Sequence, residues 1–128
     1  MNFIPVKEEE KAVILDKLRE TFREVIASSM GSSVCEVVDF YFRMNLGKEP
    51  YEALWDNPPA FFDILQRVFG SGTEIFVRLL VDGINRKYGL RYDAEVFMKL
   101  MGDKNEESKT RFREILRRIF GSRNLEVK

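Results

Sequence analysis

Between Ile75 and Ile84 the only charged side chains are Arg78 and Asp82. With Glu74 before them and Arg86 after, they fall at i, i+4, i+8 and i+12. On a helix this makes one stripe, with each acid four residues ahead of a base, the favourable order. Phe76, Val77, Leu79, Leu80, Val81 and Ile84 cover the rest of the surface. A helix that is apolar nearly all round has to be buried, showing water only its stripe. The stretch therefore demands other helices around it, and it is expected to be the central helix of a bundle. Just before it, Val68-Phe-Gly-Ser-Gly-Thr-Glu74 reads as one helix ending, a break, and the next helix starting.

The rest of the chain repeats that punctuation. Leu15, Leu18, Phe22, Val25, Ile26 and Met30 recur at three- to four-residue spacing behind an acidic first turn, Glu8 to Glu10, which suits the helix dipole. Gly31 stops this first helix. Ser33-Val-Cys-Glu36 fits a capping box, Ser33 as cap and Glu36 reaching back. The second helix then runs to about Leu46, with Val34, Val37, Val38, Phe40, Tyr41 and Phe42 apolar. Glu36, Asp39 and Arg43 form its narrow polar side, and Gly47 ends it. Glu49 to Asp56 holds one short turn. Asn57-Pro58-Pro59 starts the next helix, with Asn57 as cap and Pro58 at the first helical position. It runs to Phe69, and Ser71 to Glu74 reads as a second capping box opening the central helix. A short helix is expected over 93–101 and a last one over 106–120. No stretch alternates apolar and polar residues for long enough to read as a strand.

A length of 128 residues suits one domain with one core. The expected fold is all-α, a compact bundle of five to six helices, with residues 18–90 as its core and 91–128 as a C-terminal helical extension. Three segments resemble one another: Arg23 to Ser32, Phe62 to Ser71 and Arg113 to Ser122, each an acid, two aliphatics, then Gly-Ser. They read either as one helix-stop solution used three times or as a duplicated helix-Gly-Ser-helix unit. Lys+Arg and Asp+Glu are equal at 21 each, so no global field draws the chain to nucleic acid or an anionic membrane. The charge is nevertheless uneven: residues 99–128 hold nine basic and five acidic side chains. A cytoplasmic location is expected, since no apolar leader is visible at the N-terminus and no run approaches a membrane span. One Gln and a third of residues charged lean towards a thermophile.

The order of these motifs over residues 18–90 resembles a known family. An amphipathic helix ends in Gly, and a Val-Val-Asp-Phe-Tyr-Phe helix and a proline-started helix follow. Ile-Leu-x-x-Val-Phe-Gly-Ser-Gly-Thr-Glu then leads to a helix closing on Arg-Lys-Tyr-Gly-Leu. This pattern resembles the small all-helical archaeal output domains of the Nitrosopumilus output-domain type. The resemblance implies a signalling or interaction domain and supplies no catalytic residue. Residues 91–128 lie outside it.

The chemistry available is narrow. There is no histidine, which removes His triads, His metal ligands and the ordinary near-neutral acid–base group. Cys35 is the single cysteine, in the first turn of a helix whose dipole could lower its pKa, but the charge of Glu36 opposes a thiolate, so it reads as a packed residue. Gly70-Ser-Gly-Thr73 lacks the Lys of a phosphate loop and reads as a cap. No catalytic residue, cofactor or metal site is expected. Function is expected to lie on a surface instead. Arg111, Arg113, Arg117 and Arg118 give the last helix a basic face that would dock an acidic protein or the acidic body of a second copy, as a homodimer; nucleic acid is a weaker candidate. Trp55 and Phe61, beside the proline step, would be an aromatic anchor if exposed. The rival reading is a helical carrier of a small molecule or lipid, with a cavity between the second and central helices.

Overall fold

A computed structural model describes residues 6–121. Within them the chain forms seven α-helices: α1 (Glu8–Met30), α2 (Ser32–Leu46), α3 (Pro50–Asp56), α4 (Pro58–Phe69), α5 (Thr73–Tyr88), α6 (Ala94–Gly102) and α7 (Glu106–Phe120). There is no strand among the described residues. The count exceeds the expected five to six because Pro50, at the first helical position, nucleates a true helix where only a turn was expected.

The breaks fall where the glycines predict, but the caps do not all work as expected. Gly47 and Gly89 close α2 and α5 in the left-handed conformation, at φ 69° and 67°. Asn57 does cap α4, its side chain accepting from the Ala60 amide at 3.3 Å. The Ser33 capping box does not form: α2 begins a residue earlier, at Ser32, and Gly31 precedes it with no side-chain cap. The Ser71 box does not form either. A single 3₁₀ turn, Gly70–Gly72, occupies the break, and the first residue of α5, Thr73, turns inward. Its buried hydroxyl donates to the carbonyls of Gly70 at 2.8 Å and Leu65 at 3.2 Å. In both cases a Gly, Gly31 for α2 and Gly72 for α5, occupies the cap position and so offers no side chain to the first turn. The three Gly-Ser sites also differ in backbone, with Gly31 at φ 96°, Gly70 at φ 56° and Gly121 at φ −71°.

The axis of the bundle is α1 rather than α5. At 23 residues it is about 34 Å long. It packs on α2, α3, α5 and α7, whereas α5 packs on α1, α4 and α6. Four aromatics meet where the first four helices converge. Phe22 lies edge-on to Tyr51 at 5.8 Å and to Phe61 at 6.5 Å, and Phe42 sits 5.0 Å from Phe61. A second aromatic layer joins α6 to α7 through Phe97 and Phe112, 5.0 Å apart. One continuous core runs from Ile14 to Phe120. The stripe on α5 stands as expected: Glu74, Asp82 and Arg86 are exposed, and Arg78 bridges Glu74 at 2.9 Å and Glu95 of α6 at 3.1 Å. Ile75 is the exception on that helix, at 63% exposed.

Candidate functional site

Apolar side chains cover all but a narrow side of α2, yet the helix is packed on one side only. It packs on α1, α3 and α4 through buried Val38 and Phe42, helped by Val34, Cys35 and Leu46. On the far side Val37, Phe40, Tyr41 and Met44 are 45%, 57%, 42% and 69% exposed. These four fall at i, i+3, i+4 and i+7, the spacing of an apolar seam that faces another element. Phe40 and Tyr41 hold each other edge-on at 5.7 Å. Glu36 and Arg43, both exposed, border the seam on the Phe40 edge. On the Tyr41 edge Asn45 donates to the Tyr41 carbonyl at 2.8 Å and accepts from Arg67 of α4 at 3.3 Å. The expectation that Glu36, Asp39 and Arg43 form the outward side, with the apolar residues inward, is therefore half wrong. The apolar residues extend round more of the helix than its neighbours cover; only Val38 and Phe42 on one side are buried.

Behind the seam a polar corner fixes α2. Asp39 is turned towards α1, where its Oδ2 accepts from Arg23 at 2.9 Å, and its buried Oδ1 has no hydrogen-bond partner among the described residues. Tyr51 of α3 is buried in the same corner, and burial pushes its hydroxyl up to about 12, against the opposing pull of the Arg23 guanidinium. Cys35 lies here too. Burial raises its thiol pKa and outweighs the lowering by Arg23, so the corner does not activate a thiolate.

The residues expected to form a basic docking face are placed differently. Arg113 turns into the fold: its Nε donates to the Trp55 carbonyl and its Nη2 to the Asp56 carbonyl, each at 2.7 Å. It thereby satisfies the orphan carbonyls at the end of α3. Arg117 grips Glu10 of α1 with two hydrogen bonds, at 2.8 and 2.9 Å, and both side chains are more than four-fifths buried. Such a two-pronged pair is the geometry for which Arg is suited. Arg111 is exposed and reaches Glu107 one turn back at 3.3 Å; Arg118 is exposed. The four guanidinium groups therefore do not share one outward surface. Trp55 and Phe61 are 7% and 1% exposed and belong to the core, so they offer no anchor. Arg123, a further base in the uneven C-terminal stretch, lies outside the described residues. Periodicity identified the basic face of α7 but could not show that α1 and the end of α3 lie against it.

Surface clefts add little. One, of about 460 Å³, is rimmed by Glu74, Asp93, Glu95, Val96, Met98 and Lys99, and another of about 280 Å³ lies beside Glu24, Arg86 and Lys87. Charged side chains line both, and both open to solvent. No three His, Cys, Asp or Glu side chains gather as a metal site among the described residues. No described helix is long and apolar enough to cross a membrane. Compared with known protein families, curated proteins and solved structures, the chain matches none.

Proposed function

We propose that this chain is a non-catalytic signalling or regulatory interaction module whose working surface is the α2 seam. The observation that carries the reading is the exposure of Val37, Phe40, Tyr41 and Met44 at seam spacing on a helix already anchored by its other face. Contiguous apolar patches on otherwise polar surfaces mark sites of association. A helix held rigid from behind presents such a patch with little ordering cost. The seam is shaped to receive an apolar helix, as in helix-to-helix recognition. The resemblance of residues 18–90 to archaeal output domains implies the same class of function, and a duplicated helix-Gly-Ser-helix unit belongs to the same reading. A carrier role has less behind it, because α2 and α5 each pack on α1 and α4 and the two clefts described are open and charged. A nucleic-acid role loses its basis once Arg113 and Arg117 are turned inward.

The test is Phe40→Asp combined with Met44→Lys. Both positions are exposed, so helicity should hold and stability should change by about 0.5 kcal/mol or less. Partners captured by the wild type would be purified and titrated against both proteins. The reading expects the double variant to lose the binding; equal titration curves would sink it.

A further inference from the structure

We propose that the occupant of the α2 seam is a second copy of this chain, with α2 antiparallel to its counterpart about a two-fold axis. This rests on the interaction-module reading above and adds the identity and register of the partner. Charge and symmetry set the pairing. Successive residues turn by about 100° around a helix, so the four seam residues span about 100° of its surface. Glu36 and Arg43 both lie along the Phe40 edge of that span, seven residues apart, and the Tyr41 edge carries Asn45 in place of a charge on α2. Among the described residues neither Glu36 nor Arg43 has an ion-pair partner in its own chain.

In an antiparallel two-fold pair, each edge faces the same edge of the other helix, running the opposite way. Glu36 then meets Arg43 of the second copy, and Arg43 meets its Glu36. The midpoint between these two residues falls between Asp39 and Phe40; the midpoint of the seam falls between Phe40 and Tyr41. The two differ by one residue, so in the seam register Glu36 and Arg43 of the second copy are offset by two residues, about 3 Å along the axis, within the reach of an arginine. One register therefore stacks Val37 on Met44, sets Phe40 and Tyr41 each beside its own counterpart, and closes both ion pairs at once. A parallel pair would set the Phe40 edge against the Tyr41 edge and leave both charges unmatched. Two turns of one helix fall short of the about 800 Å² per partner of a standard interface, so the dimer is weak, with a dissociation constant of roughly tens of micromolar.

Sedimentation equilibrium on the full chain, from about 10 to 500 µM, tests this, with circular dichroism confirming that each variant is folded. Wild type should associate across that range. Glu36→Arg and Arg43→Glu each place like charges opposite one another, and each should weaken association by about tenfold. Mixed in equal amounts, the two single variants should recover wild-type strength, because one then presents two bases where the other presents two acids. Phe40→Asp should abolish association in every case. A wild type monomeric throughout, single reversals that associate like wild type, or a mixture that fails to recover would each overturn the proposal. If the wild type is monomeric but Phe40→Asp still abolishes binding of a purified foreign partner, the second-copy inference falls and the interaction reading stands. If Phe40→Asp alters neither kind of association, both fall.

Discussion

Two arginines one turn apart on α7 show how little a side chain's charge says about its work. Arg113 and Arg117 are clamps, one on the last carbonyls of α3 and one on Glu10. Removing Arg117 leaves a largely buried carboxylate without its partner, so Arg117→Ala should cost about 2 kcal/mol, read as a shift in the urea midpoint. Arg111→Ala, which loses only an exposed contact one turn along the same helix, should cost about 0.3 kcal/mol. Equal shifts would show that the Glu10 pair contributes no more than surface charge. Tyr51 gives a second residue-level expectation. Its folded pKa, about 12, stands above the ordinary tyrosine value of about 10, so the folded state holds the proton more tightly. The stabilisation is whole below pH 10 and is lost as pH rises towards 12. Lys48 and Lys87, held up by Asp56 and Glu24, weaken the fold over the same alkaline range. The Tyr51 share is the part of the alkaline loss that Tyr51→Phe removes, measured by denaturant unfolding at pH 9 and pH 11.5. An unchanged pH profile in that variant would mean the phenol titrates alike folded and unfolded.

At the scale of helices, α1 and α5 approach closely at Gly83, and the contact explains a glycine that propensity disfavours. Gly83 sits mid-helix, where Gly costs about 1 kcal/mol relative to Ala. A Cβ there would lie 2.4 Å from Val25 Cγ2 of α1. Gly83→Ala should therefore destabilise by about 1–2 kcal/mol despite its better propensity, through overpacking. Adding Val25→Ala should relieve that clash, so the pair should couple favourably in a double-mutant cycle of melting measurements. Independent effects would show that the two helices can move apart freely. Helix positions were legible in the sequence because glycine stops and apolar periodicity are local signals. Which face found a neighbour was not. The stripe on α5 could be read, since its charges interrupt an otherwise apolar surface. On α2 the apolar residues cover all but a narrow polar side, and nothing local distinguishes Phe42, wholly buried, from Phe40, two positions away and 57% exposed. The same gap hid the clamps on α7, because their partners lie 57 to 107 positions away in sequence.

Taken whole, the molecule is a bundle hung on its first helix, with the polar clamps at α7 and the open apolar seam at α2. Its closure has a consequence for how the chain can be threaded. Glu10 stands near the start of α1 and Arg117 near the end of α7, and they are joined side chain to side chain. Among the described residues, the end of the last helix thus lies beside the start of the first. A path that closes in this way is nearly a ring, and a ring can be opened elsewhere. A circular permutant with the old ends joined by a Gly-Ser linker, and new ends cut between Gly47 and Lys48, should keep a single cooperative unfolding transition. A broad, multi-step melt would show that the order of the helices along the chain is needed, and not only their contacts. For the same geometric reason the whole bundle can be spliced into a surface loop of another protein, where its two connections would enter and leave side by side and the outer face of α2 would be carried along as a ready-made handle.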